Sequence, residues 1–348
     1  MREGPHSGLP SPIQEAPKVT QSPLEASDEL SLNQEADLQP TPDVIEFPIQ
    51  WVLISVLTFA VGVLVGFILW GNTGAGTRAL SAAISQEELV DIARQVNPPQ
   101  GWSLPVEVGD LGPQLVAGGA IDLESFTQIY QDAGTPLSED QMRILTVGSD
   151  EDLTINKGNA RFWLNFFWAL GLANQNPVLT EGLMMQYGEE QVGQFASTGG
   201  WTLGAKPATE LYASLPLVRL TSAQQERLER VAANVFRPCC NNPTHFPDCN
   251  HGMAMLGLLE LMAAQGASER EMYEAAKYAN AFWFSQQTFE IALYFYVNDG
   301  LDFDEVDPQL VVGERYSSGT GFQGVHSWLV ENNLLDSGSG GGGSSCGA

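Results

Sequence analysis

From Phe47 to Thr77 the chain carries no charged residue. The stretch reads F-P-I-Q-W-V-L-I-S-V-L-T-F-A-V-G-V-L-V-G-F-I-L-W-G before it turns to small polar residues. About 20 apolar residues span the hydrocarbon core of a bilayer, so it predicts a transmembrane helix at roughly Ile49–Trp70, within a membrane segment of 47–72. Trp51 and Trp70 mark its two interfaces. A cleaved signal peptide is the competing reading, but its apolar core would be shorter and would follow a basic region. Gly62 and Gly66 form G-x-x-x-G, a face on which two such helices pack.

The segment divides the chain. Residues 1–46 are rich in Pro, Ser, Gln and Glu, have no aromatic residue, and cannot bury enough apolar surface to offset ordering entropy, so they read as a disordered acidic tail. Residues 73–84 form a linker, 85–335 the soluble domain, and 336–348 a Gly/Ser tail ending in Cys346. The chain's 348 residues suffice for such a domain. With 42 acidic residues, 15 Lys and Arg, and a formal net charge of −27, the composition excludes nucleic acid as a partner. Arg78 and Arg94 follow the apolar run, and by the positive-inside rule they favour a cytoplasmic domain. An acidic, Lys-poor domain behind a single N-terminal anchor favours the other side. The expectation is a single-pass protein of the cell membrane with its large domain extracytoplasmic.

Beyond the linker the pattern predicts a mainly α fold, a bundle-like helical domain with long loops. Ser85…Glu88, Ser138…Gln141, Thr221…Gln224 and Ser268…Glu271 have the spacing of capping boxes, and Asp122 can cap a further helix. Asn159–Leu172 is a strongly apolar helix, and a helix or helix pair runs from Ser268 to about Asn298. The segment from Gly300 to Glu314 reads as polar and extended, and Gly321–Leu335 as a last amphipathic helix. Few segments alternate with period two, so no sheet is expected.

Three of the four cysteines lie in one turn-rich loop, R-P-C-C-N-N-P-T-H-F-P-D-C-N-H-G-M-A-M, just before an apolar helix. Cys239, Cys240, Cys249, His245 and His251 supply thiolate and imidazole donors suited to zinc or copper, and less to an iron–sulfur cluster. Met255 lies one turn beyond His251 and would add a thioether, favouring copper. Asp248 or Asn250 caps the helix, whose dipole stabilises thiolates. Adjacent cysteines depart from the usual C-x2-C zinc spacing. Two other readings stay open. Cys249 could pair with Cys239 or Cys240 and staple the loop. Cys346 could also swing in on its tether, as a mobile metal ligand or for thiol–disulfide exchange, since about a dozen flexible residues span roughly 20 Å.

Glu260 and Glu290 are lone acids in apolar helices, a rare arrangement unless the acid is paired or bound to metal. With His251 they could build a carboxylate site between helices. Otherwise they reach water at an edge or pair with Arg. His326 stands on the last helix. Phe282, Trp283, Phe284, Tyr294 and Phe295 read as core. No nucleotide-binding or hydrolase fingerprint occurs.

The cysteine stretch, G-D-L-G-P-Q-L-V-A-G-G-A-I-D (Gly109–Asp122), F-A-S-T-G-G-W (Phe195–Trp201) and the Gly-rich Cys tail together resemble a family of uncharacterised membrane-anchored bacterial proteins. The likeness covers residues 100–348. It implies that the tail is native and that Cys346 has a working role; it implies no reaction. The sequence thus points to a membrane protein that handles a soft metal or redox equivalents. Its partners would be the membrane and other subunits of a membrane complex, or a second copy through Gly62 and Gly66. A structural subunit with a stapled loop is the alternative.

Overall fold

All four capping boxes form. Ser85, Ser138, Thr221 and Ser268 each accept from the backbone N–H three residues on, while Glu88, Gln141, Gln224 and Glu271 reach back to the cap. Each satisfies two of the N–H groups that a helix start leaves open. Asp122 likewise accepts from Ser125 N at 2.9 Å. These stops and starts set the architecture of the computed structural model, which describes residues 84–335. The expected tail, the membrane helix with Trp51, Gly62, Gly66 and Trp70, and Cys346 lie outside the described residues. Among the described residues no helix is long and apolar enough to cross a membrane.

The domain is mainly helical. Helices of eight or more residues are α1 (Gln86–Val96), α2 (Leu111–Gly118), α3 (Leu123–Asp132), α4 (Glu139–Thr146), α5 (Ala160–Ala173), α6 (Ser222–Ala232), α7 (Asn250–Ala264), α8 (Glu269–Trp283), α9 (Ser285–Asp299) and α10 (Gly319–Glu331). The long apolar run beyond Ser268 is a pair, α8 and α9, broken at Phe284. Its backbone leaves helical geometry there while its N–H still bonds Asn280 O. Between α5 and α6 the chain makes only short helical turns, as the loop-rich sequence implies.

Two expectations are corrected. A two-stranded antiparallel sheet is present, β1 (Trp102–Gly109) on β2 (Ser149–Ile155), with Trp102 opposite Ile155 and Leu104 opposite Leu153. Leu104, Val106 and Val108 point inward and alternate with exposed Ser103, Pro105 and Glu107, but Pro105 and a bulge between Leu104 and Glu107 interrupt the signal. The acid run Asp150–Asp152 masks it in β2. The segment from Gly300 to Glu314 is not extended either. It folds into short turns that bury Phe303, Val306, Val311 and Val312. Phe303 lies 4.5 Å from the ammonium of Lys277, a cation–π contact inside the core.

The centre of the fold is the crossing of α5 and α7. Both are buried along almost their whole length, as helices apolar on all sides must be. They approach backbone to backbone because Gly171 and Gly257 meet there. A methyl on Gly171 would collide with Met253 O, and one on Gly257 with Phe167 O. Phe162, Phe166, Ala169 and Leu170 sit in this core, and Leu228, Val231, Ala232 and Val235 seal one side of it. A second cluster, with Ile92, Val96, Ile291, Leu293, Phe295, Phe322 and Leu329, joins α1, α9 and α10. Phe282, Phe284 and Phe295 are buried as expected, while Trp283 and Tyr294 pack part-buried against the core.

Glu260 lies inside this core and is 0 % exposed. It neither reaches water nor pairs with an arginine: Asn174 Nδ2 donates to its Oε2 at 3.1 Å, and Oε1 has no protein partner. Burial holds its pKa well above the ordinary carboxylate range, so the acid is neutral.

Two measurements follow from this packing. Gly257→Ala should cost about 1–3 kcal/mol by overpacking the crossing. Gly324→Ala on α10, where nothing lies within 4 Å, should be neutral or stabilise by up to about 1 kcal/mol through helix propensity. Equal denaturation midpoints for the two would contradict the close crossing. The neutral state of Glu260 gives a pH signature. Because its folded pKa is raised, its stabilisation is complete below the ordinary value of 4.5 and is lost as pH climbs toward the folded value. Glu260→Gln should therefore flatten the decline of urea midpoint with rising pH; an unchanged slope would show the acid is charged.

Candidate metal centre

The chain leaves α6 and is fixed at once by Phe236, whose N–H bonds Val312 O at 2.8 Å and whose carbonyl accepts from Asn280 Nδ2 at 2.9 Å. It then folds back over the end of α6. Thr244 N bonds Val235 O at 2.8 Å, and His245 N bonds Ala232 O at 3.0 Å. Ser197 N holds Asp248 O at 3.1 Å. On the other side the start of α10 grips the loop: Gly319 N donates to Cys240 O at 2.7 Å, and Thr320 donates to Asn241 Oδ1 from both N and Oγ1. The loop is thus clasped between the first turns of α7 and α10, where helix dipoles favour negative charge.

Arg237 organises the interior of the loop. Its side chain is 1 % exposed. Nη1 donates to Asn242 O at 2.8 Å, Nη2 to Asp248 Oδ1 at 2.9 Å, and Nε to Cys249 Sγ at 3.1 Å. Asn242 Nδ2 secures the second oxygen of Asp248 at 2.8 Å. The guanidinium lies flat on the first turn of α7 because residue 252 is glycine; a methyl there would collide with it. The N-cap of α7 is Cys249 itself, not Asp248 or Asn250. Asp248 is engaged by Arg237, and Asn250 Oδ1 is taken by His251 N at 2.8 Å.

The sulfur atoms of Cys239, Cys240 and Cys249 lie within 4.8 Å of one another. Cys239 Sγ is 3.7 Å from Cys249 Sγ, and all three are free. Cys240 Sγ turns toward Asn242 O at 3.9 Å and Asp248 Oδ1 at 4.0 Å. One negative charge settles on Cys249. Hydrogen bonds from Cys239 and Cys240, then Arg237, hold its pKa well below the usual thiol range against the opposing effect of burial. Cys239 is driven far up by its hydrogen bonds to Cys240 and Cys249. For Cys240 the bond with Cys239 pulls down, but Cys249 and burial prevail and it is pushed up to about 11. Burial opposes the charge on Arg237, yet the neighbouring sulfurs outweigh it and raise its pKa. In the metal-free site negative charge is thus favoured on Cys249, beside the Arg237 guanidinium, over Cys239 and Cys240.

Among the described residues no other group of three metal-binding side chains is so close, and no histidine joins this set. His251 stands in the first turn of α7 with its ring 4.3 Å from that of Phe284. Burial lowers its pKa to about 4, so the imidazole is neutral, and its Nδ1 has no protein partner. His245 is half-buried on the loop, and Met255 is buried in the apolar core. Glu260, Glu290 and His251 are not brought together. Glu290 is buried on α9 and binds His326 Nδ1 of α10 at 2.8 Å and Gln286 at 2.9 Å, while Glu260 binds Asn174. The sequence reading missed Arg237, Asn242 and Gly252. Arg237 stands just before Pro238-Cys239-Cys240 in a chain poor in arginine, which was the available signal.

No family model, curated protein or solved structure matches the chain, so its functional reading rests on this geometry.

Replacing Arg237 with Gln should destabilise the domain by about 3 kcal/mol, because the buried Cys249 sulfur would lose its donor and the half-buried Asp248 its cation. A chemical-denaturation shift below about 1 kcal/mol would show that the guanidinium contributes no more than an exposed ion pair.

Proposed function

We propose that the chain is a membrane-anchored protein that binds one soft metal ion through Cys239, Cys240 and Cys249. The carrying observation is the sulfur spacing. Four thiolates at about 2.3 Å around a tetrahedral ion stand about 3.8 Å apart. The Cys239–Cys249 separation of 3.7 Å is already that edge. Arg237 serves the site twice. It keeps one sulfur ionised for the first bond, and it offsets part of the negative charge that a trithiolate carries once the ion has displaced the remaining thiol protons. A donor set of three thiolates favours Cu(I) first and Zn(II) second.

Cys346 is the fourth ligand in this reading. Helix α10 starts against Cys240 and runs 13 residues, a length of about 20 Å at 1.5 Å per residue. The chain from Leu335 to Cys346, if extended, spans about 36 Å, enough to return to the loop. His251 is the competing fourth ligand, favoured by its unpartnered Nδ1. The apolar composition of segment 47–72 supports a membrane anchor, and metal handling at a membrane surface is the proposed role.

The full-length chain, purified in detergent without chelator, should carry about one equivalent of copper or zinc. Cys249→Ser should lose it. Cys346→Ser should weaken binding while His251→Ala leaves it, and the reverse order would exchange the fourth ligand. A metal-free chain with every thiol reactive, and no uptake of added Cu(I) or Zn(II), would overturn the reading.

A further inference from the structure

The three sulfurs are not equivalent. Cys239 and Cys249 face each other at 3.7 Å, whereas Cys240 turns to Asn242 O and Asp248 Oδ1. Access differs as well: Cys249 is 5 % exposed, whereas Cys239 and Cys240 are partly exposed. An incoming molecule therefore meets Cys239 or Cys240 before Cys249, and of the two it is Cys239 that stands at 3.7 Å from Cys249. Arg237 Nε donates to Cys249 Sγ at 3.1 Å and so favours negative charge on the buried sulfur. A shallow thiol in contact with a buried, guanidinium-held sulfur is the arrangement that a two-step thiol–disulfide exchange requires.

We propose that the centre is also a redox switch, in which an accessible disulfide closes a Cys239–Cys249 bond and thereby expels the metal. This rests on the metal reading for its consequence but not for its chemistry. In the first step Cys239 passes its proton to the Cys249 thiolate 3.7 Å away, and the Cys239 thiolate so formed attacks a disulfide R–S–S–R. The S–S bond breaks, one RS group leaves and takes that proton from Cys249 as RSH, and Cys239 holds the mixed disulfide. In the second step the Cys249 thiolate attacks the Cys239 sulfur, expelling the second group as RS⁻. Two cysteine sulfurs are oxidised, the disulfide is reduced to two thiols, and atoms and charge balance. The oxidant is a small organic disulfide or an exposed protein disulfide.

The vicinal pair is not the product. Adjacent Cα atoms are about 3.8 Å apart, below the range of about 4.4–6.8 Å that disulfides usually span, and the ring they would close distorts the peptide between them. Nor is Cys240–Cys249 the favoured product: the direct 3.7 Å contact of Cys249 is with Cys239, while Cys240 Sγ is shared with Asn242 O and Asp248 Oδ1. Closure removes two of the three loop thiolates and leaves Cys240 with only the fourth ligand, too few to hold the ion.

The test uses the full-length chain in detergent, metal-free and metal-loaded, treated with oxidised glutathione. Cleavage before Asp248 separates the fragment carrying Cys239 and Cys240 from the one carrying Cys249, so mass spectrometry without reduction reads the bond directly. The two fragments should be joined in the wild type and in Cys240→Ser, and separate in Cys239→Ser. The loaded protein should lose its bound ion as the bond forms and rebind it after reduction. Joining that survives Cys239→Ser but fails in Cys240→Ser, a bond to Cys346, or no bond at all would overturn the switch. So would a loaded chain that forms the bond and keeps its ion. Should the untreated chain bind no metal, the metal reading fails by itself, and the mapping still decides whether Cys239 and Cys249 exchange.

Discussion

The structure depends on two helices that touch through glycine. Without side chains at Gly171 and Gly257, α5 and α7 approach closely enough for backbone to rest on backbone. Protein interiors transmit such a constraint because they are close-packed and yield little. The crossing fixes where α7 begins, and α7 begins at Cys249. The first turn of α7 carries the second consequential glycine, Gly252, against which the Arg237 guanidinium lies. The position of one sulfur thus traces to three places where a methyl group is excluded.

Charge gives the loop its chemistry. In a chain of net charge −27, a fully buried arginine beside three cysteines is an exception that needs a partner. It has two, Asp248 and Cys249, and its remaining donors close the loop through the carbonyls of Asn242 and Phe246. A buried ion pair costs desolvation that only good geometry offsets. Here the fork of the guanidinium supplies that geometry, and the same contacts keep one sulfur ionised at a site otherwise hostile to thiolate. Metal uptake and disulfide exchange both begin from an ionised sulfur, which is why one cluster can serve both.

Much of the fold was legible. Capping boxes are local, so Ser85, Ser138, Thr221 and Ser268 announced four helix starts that all form. The apolar runs of α5 and α7 announced buried helices by having no polar face. The sheet was illegible because β1 is interrupted by Pro105 and β2 opens on acids whose pleat cannot be read from polarity. Phe303 and Val306 both meet a distant lysine, Lys277, inside the core, and no short window of sequence contains them together. The site divides in the same way. Three cysteines in one loop were conspicuous, and the structure brings their sulfurs together. The histidines looked equally suitable in sequence, yet helix geometry turns His251 to Phe284, and the loop backbone leaves His245 aside. Glu290 and His326 stood out singly; only the packing of α9 on α10 makes them a pair. Gly252 carries no signature apart from its contact with Arg237, whose only sequence signal is its place just before the cysteine pair.

The central claim is that Cys239, Cys240 and Cys249 hold a metal ion through sulfur. X-ray absorption at the metal edge of the full-length, metal-loaded chain tests it most directly. The account predicts a first shell dominated by sulfur, near 2.3 Å if the ion is zinc, that loses sulfur scatterers in Cys239→Ser. A first shell made of nitrogen and oxygen, unchanged by that substitution, would contradict it.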